Sequence, residues 1–567
     1  MCLHVLAWCT IEYDGLWNVS QTKHIHFNIQ NKIRKGVREM SGKTNRISRR
    51  EFLKDAAIAS AAVATAGAMG SLQATPAMAA GVPDKWDKEV DVVVVGTGFG
   101  GLAAAVTALD AGATVVILEK AKKEHEGGNS KVSGNMWWAP QTAEDGFNYV
   151  KALAFGTTDD ESLKAFEAEH VKLNDWLSSK FGIKPASIGG LFQPEHPELP
   201  GKDTVRTWGN DGKTLNGQLY NPIRDYADKV KIEFMYETPA KELVQAPTGE
   251  IIGVKAETGG KAIFIKAKRG VVLGCGGFEF DFDMAKQYLP GWPVYGRGSP
   301  YNTGDGIKMC QKVGAALWHM NNTLGGFGCL MVPEYAPVLI NLGMPAQGYV
   351  FLDKFGQRFM NEARDNRHGF GHKEYQLFFD GILGDFTRNP WWTVFDDPTA
   401  KKGPVAGAQG TTFTWFNAQM GYKWSSDNSA EVGKGWILKA DTVADLAAKI
   451  KVDPKVLQAS LDKYNGFCTN KADTDFGRPT ANLVALQSGP LYAMQTYPAT
   501  YNTQGGPKRN GKCQIIDAFG QPIPRLYSCG EMGSFYGWMY NGGGNNAEAL
   551  VTGQIAARNA AAEKPWG

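Results

Sequence analysis

Long apolar runs are missing from this sequence. No uninterrupted stretch of about 20 apolar residues occurs after its leader, so a helix spanning a ~30 Å hydrocarbon core is not expected. An excess of one charge is missing too: 60 Lys and Arg stand against 57 Asp and Glu. That balance argues against nucleic-acid binding, which needs a basic surplus on one face. Hydrophobic residues reach 43%, which excludes a disordered chain. Cysteine is sparse and scattered, with no C-x-x-C and no C-x-x-C-H among eight positions. This excludes a covalently attached c-type haem and offers no zinc spacing, and no metal is expected. Glycine is what the chain has instead: 68 of 567 residues, well above the ~7% average. It follows no Gly-X-Y period, so the excess must serve turns, phosphate loops or close backbone contacts. The length predicts two or more domains, or one large domain with insertions.

The slight basic surplus gathers at the N-terminus. Ser48-Arg49-Arg50-Glu51-Phe52-Leu53-Lys54 has the order of a twin-arginine export signal. An Ala/Gly-rich stretch over 56–72 and the small-x-small site Ala77-Met78-Ala79 follow it, as a cleaved signal peptide requires. Residues 40–79 are therefore read as the signal, and 1–39 as a leader upstream of a natural start at Met40. The expected location is the periplasm or the outer face of the cell envelope, without stable membrane insertion. The twin-arginine route carries chains already folded in a reducing cytoplasm, so the six later cysteines are expected to be mostly free thiols.

Residues 91–95 read Asp-Val-Val-Val-Val, the continuous β-branched run of a buried parallel strand. Gly96-Thr97-Gly98-Phe99-Gly100-Gly101 follows, then an Ala-rich, helix-compatible stretch. In this strand–turn–helix unit Gly96 permits the tight turn, Gly98 lets backbone reach a pyrophosphate, and Gly101 lets helix and strand pack closely. The phosphate then lies at the helix N-terminus. A second apolar run over 114–118 ends at Glu119, where a ribose hydroxyl needs an acceptor. Lys120 follows, then the polar loop Gly127-Gly128-Asn129-Ser130 with Ser133-Gly134-Asn135. Another strand leads into Gly274-Cys275-Gly276-Gly277-Phe278, and later come Asn302-Thr303-Gly304-Asp305-Gly306 and Gly530-Glu531.

These elements, in this order, resemble the flavoprotein family of soluble fumarate reductases, urocanate reductase and 3-ketosteroid dehydrogenases. Arg358-Phe359-Met360-Asn361-Glu362 resembles its R-F-x-N-E motif. The resemblance implies an α/β fold: a Rossmann-like FAD-binding domain in two sequence pieces, 88–320 and 488–567, with an inserted α+β capping domain over 321–487. It implies non-covalent FAD held by the glycine loop, Glu119, Lys120, the 128–135 loop, Gly276, Gly277, Asp305, Gly530, Glu531, and Asn545-Asn546-Ala547. It also implies that Ala240 offers its backbone to the adenine. The span 370–485 carries no motif of the family. Its aromatics are read mainly as core, and 444–450 and 454–461 as amphipathic helices capped by Thr442 and Asp453.

The terminal stretch departs from the fumarate enzymes. Tyr540 falls where they keep a carboxylate-clamping arginine, and Tyr536 where they keep a histidine. A guanidinium holds a carboxylate by two charge-assisted hydrogen bonds, whereas a phenol donates one neutral bond. This argues against fumarate as substrate. Tyr540-Asn541-Gly542-Gly543-Gly544 resembles the Y-P-G-P-G of ketosteroid dehydrogenases, which implies that the Tyr540 hydroxyl and the Gly544 N–H hold a carbonyl oxygen. For the proton donor the candidates are Arg364, Arg367 and His368, with Glu362 or Asp365 able to begin a relay.

The expected function is an exported FAD oxidoreductase that reduces a C=C bond conjugated to a carbonyl. With no haem motif and no nicotinamide site, electrons are expected from a cytochrome or quinol-linked donor, as in anaerobic respiration. The rival readings are a ketosteroid-type 1,2-dehydrogenase and a flavin electron carrier without a small-molecule substrate.

Overall fold

Residues 92–95 are all valine, so the strand that holds them must be covered on both faces. All four are buried, and they end β1 (Lys88–Val95). The structure is a computed structural model that describes residues 81–189, 194–364, 367–407, 412–487 and 489–567. The segments expected to be a leader and an export signal, and Asp365, lie outside these residues. β1 pairs in parallel with β2 (Val115–Leu118) on one side and β3 (Lys261–Leu273) on the other. Glu233–Met235 extends this eight-stranded sheet beyond β2, and a hairpin of Ala240–Gln245 and Ile251–Thr258 pairs antiparallel with the first half of β3. Helix α1 (Phe99–Asp110) connects β1 to β2 and is buried over its first ten residues. Its Ala-rich sequence suits close packing.

A second, seven-stranded sheet follows. β4 (Thr323–Leu330) and Trp391–Asp396 flank its central strand, β5 (Leu491–Thr503), both antiparallel to it. Trp415, Trp424 and Trp436 pack into its core with Phe416 and Tyr492, and Trp391 is buried in a neighbouring cluster. Beside the sheet, Thr442 accepts from the Asp445 N–H and Asp453 from the Lys455 N–H, starting helices Val443–Ile450 and Pro454–Asn470. The second helix runs to Asn470, past the expected end at 461.

The chain then returns to the first sheet. β6 (Pro522–Ser528) joins β3 in parallel, and α2 (Gly544–Ala562) packs on α1, where Gly553 leaves room for the Gly100 carbonyl. The fold is α/β, and its first sheet is assembled from two distant pieces. The division expected at 488 differs from what is seen. β5 is the centre of the second sheet, and Tyr295–Gly296 also pairs with it, so the crossing points fall inside the sheet hydrogen bonding. Among the described residues no helix is long and apolar enough to cross a membrane, and the six described cysteines are free thiols.

Candidate active site

The N-termini of α1 and α2 open onto one cavity of about 790 Å³, within the range of small-molecule sites. Neither helix has a side-chain cap or an acid in its first turn, so both ends suit an anion. Gly96, Gly98, Phe99 and Gly100 form the wall at α1. Gly96 has φ +101°, which a side chain disfavours. Glu119 lines the cavity at the end of β2. One of its oxygens accepts from the Thr97 N–H at 3.1 Å and the other from the Ala121 N–H at 2.8 Å.

Gly128, Asn129, Ser130, Ser133, Gly134 and Ala240 also line it, as do Gly276, Asp305, Gly530, Glu531, Asn545 and Asn546. Ser130 Oγ accepts from the Phe99 N–H at 2.9 Å, which ties the polar loop to the glycine turn. Lys120 pairs with Asp305 at 2.6 Å. Asn546 Nδ2 donates to the Met136 carbonyl at 2.8 Å.

Four expected cofactor residues stand behind the wall. Gly101 packs against the Gly96 carbonyl, as its place in the motif requires. Gly277 is crowded by Thr503, and its N–H donates to Glu531 at 3.2 Å. Ala547 is core. Asn135, with φ +50°, turns its Oδ1 to the Leu219 and Tyr220 N–H groups; it braces the loop rather than facing the cavity.

A buried carboxyl pair supports the loop. The Asn129 and Asn302 amides each donate to both Glu279 and Glu531, at 2.7–3.2 Å. Burial pushes both carboxyls upward, and the neighbouring Glu279 raises Glu531 further. Sequence reading missed Glu279, although it directly follows Gly276-Gly277-Phe278.

The cavity also gathers Tyr540, His368, Arg367 and Glu195. Tyr540 is buried; burial raises its pKa, and its hydroxyl accepts from the Gly543 N–H at 2.9 Å. The His368 ring meets the Tyr540 ring edge-on at 5.2 Å. His368 Nδ1 lies 2.7 Å from both Glu195 oxygens, and the Gly542 N–H donates to the same carboxylate at 2.8 Å. Arg367 donates to Glu198 and lies 3.4 Å from His196 Nδ1. Arg367 and His368 have φ +40° and +51°. Two successive non-glycine residues in that region hold the turn under strain.

Two expectations fail here. Arg364 does not line the cavity: it is partly exposed and pairs with Glu374 at 3.1 Å and Tyr375 at 2.6 Å. The Gly544 N–H donates to the Asn541 carbonyl at 2.8 Å, so the turn before α2 uses the donor expected to share a substrate oxygen with Tyr540. Glu362 lines the cavity, but Arg358 and Arg478 hold it at 2.8 and 3.2 Å, which makes the 358–362 motif a brace. Tyr536 accepts from the Trp138 indole at 3.0 Å and is core. Glu195 and His196 carried no motif; their only signal was a polar Glu-His between two prolines.

Two uncapped helix ends, a bare-backbone cradle and a carboxylate at the end of β2 are the features of a dinucleotide-binding protein. Residues 91–547 match the family of the FAD binding domain, and the chain belongs to that family. It is an FAD-dependent oxidoreductase. The chain is 27% identical to digoxin reductase of Eggerthella lenta over 92% of its own length and 98% of that protein. It is 26% identical to urocanate reductase of the same organism, over 85% of this chain and 76% of that one. The 3-ketosteroid Δ1-dehydrogenase of Sterolibacterium denitrificans shares the fold, with a TM-score of 0.71 at 23% identity, covering 84% of this chain and all of that one.

Proposed function

We propose that the protein reduces a C=C bond conjugated to a carbonyl, and not fumarate. The observation that carries this is the meeting of Tyr540 with the His368–Glu195 pair in the FAD-binding cavity. Bound FAD supplies hydride exchange at its N5 with a substrate carbon. Tyr540 accepts the Gly543 N–H, which leaves its own proton to donate to the substrate carbonyl, where charge builds as the double bond is reduced. His368 donates Nδ1–H to Glu195, so Nε2 is the atom that releases a proton to the α carbon. Glu195 orients the ring and balances the imidazolium. Arg367, paired with Glu198 and touching His196, links this pair toward the surface. Arg364 has no part.

FAD is held non-covalently, by Glu119 and the glycine-lined cradle. The reductases among the relatives favour the reductive direction. Export through the signal at 48–54 would place the enzyme outside the NADH pool, with a cytochrome or quinol-linked donor supplying electrons. A second reading, the 1,2-dehydrogenation of a cyclic ketone, has in its favour the Tyr540 hydroxyl and the shared fold of the steroid enzyme. Anaerobic titration of the reduced protein with a panel of enones and enoates tests the choice. Flavin reoxidation supports reduction. Failure of every unsaturated acceptor, together with flavin reduction by saturated ketones, would establish the reverse reaction.

A further inference from the structure

Arg297 belongs to no motif of the sequence, yet it is only 1% exposed and lines the cavity. It follows the two-residue strand Tyr295–Gly296, and its backbone is tied on both sides. Its N–H donates to the Thr500 carbonyl at 3.1 Å, and its carbonyl accepts the Trp415 N–H at 3.1 Å. The guanidinium carbon lies 3.3 Å from the Tyr501 ring centroid and 5.5 Å from that of Phe413. Nη1 donates to Asn341 Oδ1. Asn341, Phe413 and Tyr501 line the same cavity, with Leu342 and Met344 beside them. Desolvation lowers the Arg297 pKa to about 10, so the side chain stays charged at neutral pH.

The cavity therefore combines a neutral donor at Tyr540 with a buried cation on a different element. A guanidinium presents N–H donors in one plane and matches a carboxylate with two of them. The ring faces and apolar side chains around it suit a flat apolar body. Lys120 and Arg367, which also line the cavity, are paired with Asp305 and Glu198.

We propose that Arg297 is a specificity-determining residue that selects flat, conjugated monocarboxylates, such as aryl-acrylates, over neutral enones and esters. This rests on reading the cavity as the site of a conjugated acceptor.

The probes are trans-cinnamate and its methyl ester, which share one carbon skeleton with and without the charge. Each is titrated into the oxidised holoenzyme near neutral pH while the flavin absorption is followed. The acid binds about 30-fold or more tightly than the ester, the ratio expected from one charge-assisted pair, and added salt weakens only the acid. Arg297→Lys keeps part of this preference and Arg297→Met loses it, with FAD content unchanged. The acid–ester comparison uses the unsubstituted protein, so equal binding there refutes the proposal even if a variant fails to fold. Equal binding of acid and ester, binding of neither, or a preference that survives Arg297→Met overturns the proposal. Binding is read without turnover. Preference for the acid that is lost in Arg297→Met, with no conjugated acceptor reduced, would sink the reductase reading and leave Arg297 as the selector. Reduction of neutral enones with no preference for the acid would do the opposite.

Discussion

Replacing Tyr540 with phenylalanine removes one oxygen from a buried site and separates two roles. The structural role is the bond accepted from the Gly543 N–H at 2.9 Å. Losing it leaves a buried donor unsatisfied, at about 1–3 kcal/mol. For a chain of this size that lowers the melting temperature by no more than a few degrees. The proposed catalytic role is donation to a substrate oxygen. Removing one such donor typically slows turnover by about 10²–10³, or ~2.7–4 kcal/mol. The assay is stopped-flow reoxidation of the dithionite-reduced protein by a conjugated acceptor, run beside electron entry from reduced viologen. Acceptor-driven reoxidation is expected to fall about 10²–10³-fold, while viologen-driven reduction and FAD affinity stay within about threefold. A fall of less than threefold in the acceptor-driven step would refute the donor role. Unchanged exchange with redox partners throughout would favour an electron carrier.

Glu195→Gln removes the carboxylate that holds His368 and is expected to slow acceptor-driven reoxidation about 10–100-fold, whereas Arg364→Ala leaves it within twofold; equal effects would refute the assignment. Glu279 and Glu531 have pKa values raised by burial above the ordinary value of 4.5. Their stabilising contribution is therefore full below about pH 4.5 and is lost as pH rises through the raised values. Thermal melts should show stability falling over that window, with a shallower fall in Glu279→Gln; parallel curves would contradict it. Arg509 and Glu548 form an ion pair at 2.6 Å with both side chains fully buried. Arg509→Met strands the carboxylate and should cost about 3–5 kcal/mol in denaturant unfolding. Gly98→Val places a branched side chain at the mouth of α1, and equilibrium dialysis should show at least a tenfold loss of FAD affinity.

The cofactor end was legible because its signals are local. Four valines, a glycine turn and an acid at the end of the next strand are contiguous or regularly spaced, and each has one structural use. The 444–450 and 454–461 helices were legible for the same reason, through their caps. The proposed substrate site draws Glu195, Arg297, His368 and Tyr540 from four distant segments, three of them irregular, so no periodicity announces them. Arg364 and Arg367 could not be told apart in sequence. In the fold Arg364 pairs with Glu374 and Tyr375, whereas Arg367 lines the cavity and pairs with Glu198. The Gly544 N–H was misread because a turn hydrogen bond to Asn541 depends on geometry that a glycine run leaves open.

The return of β6 and α2 to the first sheet has a consequence for how the protein is made. β3 ends at Leu273, and its parallel partner β6 begins at Pro522. At ribosomal speeds of ~5–20 residues per second, that interval is on the order of 10–50 s. Throughout it the nascent chain carries an apolar strand edge and an unpaired face of α1. FAD cannot meet its full set of contacts until α2 has emerged, so cofactor loading is expected to be completed only after α2 is made. Chaperone protection of the β3 edge before release, and heightened aggregation of chains truncated ahead of Pro522, follow from the same topology.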